Sequence, residues 1–282
     1  MPVSDSPTKP FRPHYWRVWL MFLKVSLSRE MIFRWNFLIE VVTTCFWIAA
    51  QLLLFQIIFG HVKQIGDWSQ SEYYGFMATG MLINAFVEML FMPNCANLSE
   101  QIRTGNLDFV LVKPIDPQFL VSFQTVDMSL LAQIAVSLGL LAYSVTASGV
   151  TVTLVSVLVY AFLVAVAVAF FYGMMIALAS AAVFMGRNQG LYDFWFYVTS
   201  FARYPGDMYR KGVIGEIFWF GFSFVIPILL VVTVPSRVFL QKSLMPNSNW
   251  VIVIAPVMTA MCLWGSRKIF LWSLSHYRSA SS

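Results

Sequence analysis

Acidic side chains are scarce in these 282 residues, and three of them, Glu40, Glu88 and Asp127, stand in otherwise apolar runs. An ionised carboxylate inside hydrocarbon is costly, so such residues mark a proton, ion or substrate relay, or a charge pair at the membrane border. A second charged group is concentrated in one place. Between Asn94 and Gln118 the chain reads NCANLSEQIRTGNLDFVLVKPIDPQ and gathers Glu100, Arg103, Asp108, Lys113 and Asp116 around Gly105. Reversing the chain between two membrane helices takes only a few residues. This segment has room for a short helix, a glycine break and a second amphipathic piece, as suits contact with something outside the membrane.

Other chemistry is missing. There is no G-x-x-x-x-G-K-[ST] phosphate loop, no H-E-x-x-H and no G-x-S-x-G. His14, His61 and His276 are far apart, and Cys45, Cys95 and Cys262 read as small packing residues rather than a disulfide or metal set. Neither catalysis nor a cofactor is expected on this chain. Work must draw on a partner or an ion gradient.

The elements that position these groups follow from composition. With 59% hydrophobic, 17% aromatic and 11% charged residues, the chain departs from the soluble average of about 25% charged. Crossing the hydrocarbon layer takes about 20 apolar residues as a helix, because every backbone polar group must be paired internally. Six runs qualify: Phe37 to Phe59, Tyr73 to Met92, Phe119 to Tyr143, Val150 to Phe184, Glu216 to Val234 and Trp250 to Trp272. Within the fifth, Pro227 either kinks the helix or breaks it before it crosses. The expected fold is an all-α integral membrane protein with six transmembrane helices.

Basic residues orient it. The N-terminal arm carries Lys9, Arg12, Arg17, Lys24, Arg29 and Arg34; later connections carry Arg103, Lys113, Arg187, Arg203, Arg210 and Lys211; the C-terminal end carries Arg267, Lys268 and Arg278. Only Lys63, Arg237 and Lys242 fall on the other side, so both termini are expected in the cytoplasm. The formal charge of +5 is thereby a topology signal, with no need of nucleic acid. Residues 1–36 form a cytoplasmic arm and 37–282 the membrane domain, with no cleavable signal expected. In the arm, Arg17, Met21, Lys24 and Ser28 recur at helical spacing among aromatic and aliphatic residues, as in a helix lying in the lipid interface. That helix serves either as a lipid anchor or as a lever to a cytoplasmic partner.

This orientation places Glu40, Glu88 and Asp127 in the cytoplasmic third, as a girdle paired with Arg34, Arg103 or Lys113, or as a relay. In the fourth span Ala161, Ala165, Ala169, Gly173, Ala177 and Ala181 repeat every four residues, a pattern suited to close packing on a helix of this chain or of a second copy. In the connection, Ser99 or Asn97 is expected to cap a short helix that Gly105 ends at positive φ. Leu107, Phe109 and Leu111 are then expected to alternate inward, with Asp108 and Val110 outward.

The run from Gln101 to Pro114 resembles the I-x-x-G-x-L-D-x-x-L-x-K/R-P segment between the second and third spans of type-2 ATP-binding cassette permeases, closest to a bacterial transport-system subgroup. Phe201-Ala202-Arg203-Tyr204-Pro205, followed by Ile226-Pro227 and Pro235, is similar to the same subgroup before and within its fifth span. The resemblance implies an exporter permease that pairs with a second permease and with cytoplasmic ATPase subunits, which hold the ATP and Mg. It further implies that Glu100, Arg103, Gly105, Asp108, Lys113 and Pro114 couple to that ATPase. The residues alone leave open an ion-coupled secondary transporter using Glu40, Glu88 and Asp127, although no internal duplication supports it.

Overall fold

A computed structural model describes residues 14–32, 34–185, 193, 195–197, 200, 204–205, 212–225, 228–242 and 251–277. Helix α1 spans Tyr15–Ile32 and α2 spans Arg34–His61. Next come α3 (Gln70–Leu90), α4 (Met92–Arg103), α5 (Leu107–Leu111) and α6 (Pro117–Phe123). A 3-10 turn, Met128–Leu130, leads into α7 (Leu131–Ser148), which Gly149 ends at φ 65°. The long α8 is Leu154–Met185. Then α9 (Gly212–Phe220) runs into a π turn, Gly221–Val225, before α10 (Ile228–Phe239) and α11 (Val251–Ser275). The described residues contain no strand, only a bridge between Ile65 and Trp68.

Among the described residues four helices are long and apolar enough to cross a membrane, at 37–61, 128–148, 154–181 and 252–275; α3 and α4, joined through a bend of 45°, bring the number to five if the pair is one span. Pro93 near the start of α4 accounts for the bend, because it cannot donate to the turn before it. The expected third span, Phe119 to Tyr143, is divided. Residues 117–123 form the separate helix α6, and the span starts at Met128. Polar side chains hold the break open: Asn94 Nδ2 donates to the Thr125 carbonyl (2.6 Å), Thr125 N–H to Asn94 Oδ1 (2.8 Å), and Val126 N–H to Ser26 Oγ (3.0 Å).

In place of one expected fifth span, Glu216 to Val234, the structure has α9 with its π turn and then α10, neither long enough to cross alone. Ile226 and Pro227 lie outside the described residues, as do Phe201 to Arg203, Arg187, Arg210, Lys211, Arg278 and the N-terminal thirteen. Six spans thus become four or five by length and composition. Both ends of the first, second, fourth and sixth expected runs fall within a few residues of the ends of α2, α3, α8 and α11.

The centre of the bundle is α3, with Tyr73, Phe76, Ile83 and Val87 buried. It packs on α7 and α8, and α8 runs along α11. By contrast α2 turns Phe46, Trp47, Leu53 and Ile57 outward, as expected of a lipid-facing helix. Close approach at the centre depends on Gly75, where a Cβ would collide with the Ser144 side chain and meet Leu240 at 2.9 Å. Ser144 is itself fixed by donating to the Ser71 carbonyl at 2.6 Å.

Overpacking a filled core costs about 1–3 kcal/mol. Gly75→Val should therefore lower the thermal unfolding midpoint of the purified protein. Gly80→Ala is the control: its Cβ meets only Val232, at 3.7 Å, and the midpoint should stay near that of the parent.

Candidate functional site

The connection from Asn94 to Gln118 is folded throughout. Gly105 adopts φ 73°, which only glycine takes without strain, and the last turn of α4 closes with Thr104 N–H on the Glu100 carbonyl at 2.9 Å. On the exposed side Arg103 grips Glu100 in a fork, with Nε–Oε2 2.9 Å and Nη2–Oε1 2.6 Å. Asn97 and Ser99 do not cap a helix, because α4 already runs from Met92 and holds both inside it. The expected two-residue alternation also gives way to helix α5, which buries Leu107 and Val110 at three-residue spacing and exposes Phe109 and Leu111. Lys113 and Pro114 are exposed on the turn that follows.

What holds this connection to the bundle comes from its far end. Asp116 caps α6, accepting from Gln118 N–H (2.9 Å) and Phe119 N–H (3.2 Å). The same carboxylate takes both Nη1 and Nη2 of Arg267 on α11, while Arg267 Nη1 also donates to Gln118 Oε1 at 2.8 Å. Gln118 Nε2 then donates to the Tyr172 hydroxyl on α8 at 2.8 Å, where Ser122 Oγ bonds as well. Partial burial raises the Asp116 carboxyl, but the Arg267 hydrogen bond and charge, with the two backbone donors, outweigh it and hold the group below the usual carboxylate range. Burial raises the Tyr277 phenol, and the Asp108 charge raises it further.

The three carboxylates of the apolar runs border one cavity of about 540 Å³, with Trp47 and Trp195 in its wall. Glu88 accepts from Trp195 Nε1 at 2.7 Å. Asp127 lies just before the third span rather than inside it, accepting from Ser129 N–H (3.0 Å) and Oγ (2.6 Å) to cap the 3-10 turn. Glu40 is exposed on α2. Their expected pairing with Arg103 differs from the structure, where Arg103 belongs to Glu100; the Arg34 side chain lies outside the described residues. An adjoining cavity of about 270 Å³ shares Thr44, Trp47 and Glu88 and adds Gln51, Asn84 and Gln133. Glu88 therefore lines both cavities. At the edge of this region, burial and the Asp127 charge raise the Glu30 carboxyl.

The stripe on α8 divides in two. Gly173 is buried where α11 crosses, a Cβ there meeting Cys262 Sγ at 3.0 Å, and Ala177 is half-buried. Ala165 and Ala169 instead line an apolar cavity.

A further network at the other end of α3 had no counterpart among the expected sites. Arg237, with a side chain 6% exposed, pairs with Asp67 at 3.0 Å, and Lys242 pairs with Glu72 at 2.8 Å. Both cations stand over the buried Trp68 ring, at 5.2 and 5.1 Å. Arg267, Tyr172 and Trp195 were likewise not expected as site residues. Arg267 carried a signal, a guanidinium within an apolar helix, but it counted only toward orientation. No sequence signal ties Tyr172 or Trp195 to its partner.

The sequence model of a family described as ABC-2 family transporter protein matches residues 45–281. No curated protein and no solved structure matches the chain.

A carboxyl whose folded pKa is depressed stabilises the fold fully above its unfolded value of about 3.9 and loses that contribution as pH falls through the lowered value. Parent and Asp116→Asn should thus differ in thermal stability at neutral pH, and the gap should close as the pH falls below the ordinary carboxylate value and through the lowered one. A gap that stays constant across that range would remove the Asp116–Arg267 bond as its cause.

Proposed function

The chain belongs to the ABC-2 transporter family, and from that premise we propose that it is the membrane-spanning permease subunit of an ATP-driven exporter, powered by separate cytoplasmic ATPase subunits. The observation that carries the coupling role is the connection itself. Its inner edge is tied to α8 and α11 through Gln118, Tyr172, Asp116 and Arg267. Its outer edge presents the Glu100–Arg103 pair beside Phe109 and Val112, which are 72% and 85% exposed. Exposed apolar side chains bordered by charge are the mark of a protein contact.

In this reading the ATPase, which binds the ATP and Mg, docks on the outer edge, and its closure is passed to the bundle through the inner one. A second permease, identical or a sister chain, completes the path. Both termini face the cytoplasm, α1 lies in the lipid interface, and residues 216–234 supply the sixth crossing in a bacterial inner membrane. Glu40, Glu88 and Asp127 line part of the path, a role that needs no ion gradient as energy source once ATP supplies it.

Three variants test the coupling. Arg103→Ala and Asp108→Ala should weaken ATPase copurification or ATP-driven export while leaving membrane insertion near normal. Gly105→Val should be worse, since a left-handed conformation costs a non-glycine residue about 1–2 kcal/mol. Normal export from all three would make the segment a passive loop. Purified without partners, the chain should hydrolyse no ATP. Gly105→Cys should be shielded from impermeant thiol reagents in intact cells; labelling from outside would invert the topology.

A further inference from the structure

We infer that the apolar cavity between α3, α7 and α8 is a binding site for a single acyl chain of a bilayer lipid. The inference rests on the permease reading for one thing, that these helices stand in a bilayer. About 730 Å³ is available, within the range of roughly 300–1,000 Å³ typical of ligand sites. Aliphatic and aromatic side chains make the walls, and just two side chains in the lining carry a polar atom, Tyr160 and Tyr172. Both hydroxyls are engaged elsewhere, Tyr160 with Thr79 at 3.1 Å and Tyr172 with Gln118 and Ser122 at 2.8 Å. Water gains nothing from such a cavity, so the occupant is apolar.

Shape chooses between apolar occupants. Along α8 the cavity runs from Val157 to Tyr172, about 22 Å at a rise of 1.5 Å per residue, most of the hydrocarbon thickness of about 30 Å. A helix from a second copy, about 10 Å across, would need roughly 1,700 Å³ over that length, more than the cavity's whole empty space of about 1390 Å³ with its open side included. A single hydrocarbon chain is slim enough. The small side chains of Ala161, Ala165 and Ala169 make the room, and the exposure of Ala161 and Ala165 leaves a side open to lipid. Ring pairs stand in its wall: Phe91 with Tyr172 at 4.5 Å, and Tyr160 with Phe239 at 4.4 Å. A chain lodged there would pack against Tyr172, the residue that ties the connection to α8.

The test places the full-length protein in nanodiscs of phosphatidylethanolamine and phosphatidylglycerol. They contain a trace of phospholipid with a diazirine near the end of one chain, and the photolabelled residues are then mapped. Label should concentrate on residues 157–172 and on Leu138 and Leu141. Ala165→Phe and Ala169→Phe should each lower it about tenfold, leaving label on the Phe46 and Trp47 face of α2 unchanged. Equal label on α8 and α2, or no loss in the filled variants, overturns the inference. If those variants fail to fold, the distribution in the parent protein decides. Crosslinking of Ala165→Cys between two copies also overturns it, because a second helix then occupies the cavity. Absence of label from α2 as well would instead overturn the membrane reading, which keeps the two failures apart.

Discussion

One carboxylate, Asp116, faces three demands at once: it caps α6, receives the Arg267 guanidinium of α11, and through Gln118 adjoins Tyr172 of α8. Without it the connection that carries Glu100, Arg103 and Gly105 would lose its direct bond to α11 and keep only its apolar packing and the Gln118 and Ser122 bonds to Tyr172. Forked guanidinium–carboxylate bonds constrain direction as well as distance, so a displacement of α6 must move α11 or break the bond. Because α8 packs along α11 and also holds Gln118 through Tyr172, the same displacement reaches both long helices. That is the property expected of a segment that transmits force.

The opposite end of α3 is fixed by different chemistry. There Trp68 lies under two cations, each with its own acidic partner, and the buried Arg237 is satisfied by Asp67. Removing one partner of such a pair leaves an uncompensated buried charge, so clamps of this kind hold a conformation more firmly than exposed pairs do. Near its other end α3 carries Glu88, which lines two adjoining cavities. A helix clamped at its start, with Asn84 and Glu88 in its last two turns and a bend just after it at Phe91, is well placed to pass a displacement along its length.

Much of this was legible in the residues. Apolar runs of span length located α2, α3, α7, α8 and α11, since hydrocarbon accepts little else, and Gly105 announced a left-handed turn that the backbone adopts. The division of the third run was not legible. Phe119 to Phe123 is as apolar as a span, and the break after it depends on Asn94 and Ser26, which lie far away in sequence. Nor could periodicity separate helix from strand over five residues, so α5 was read with the wrong period. The stripe on α8 was visible as spacing, but which half meets α11 and which half lines a cavity depends on how the helices cross. Arg267 was visible as a charge, whereas its partner became evident only once α6 had folded back.

The most direct measurement is a double-mutant cycle on Asp116 and Arg267 in the native complex isolated through a tag on this chain, read as ATP turnover in proteoliposomes. If their bond carries the coupling, Asp116→Asn and Arg267→Gln each lower turnover and the double variant falls little further, a coupling of about 0.5–3 kcal/mol. Strictly additive losses, or full turnover in the double variant, would contradict the account.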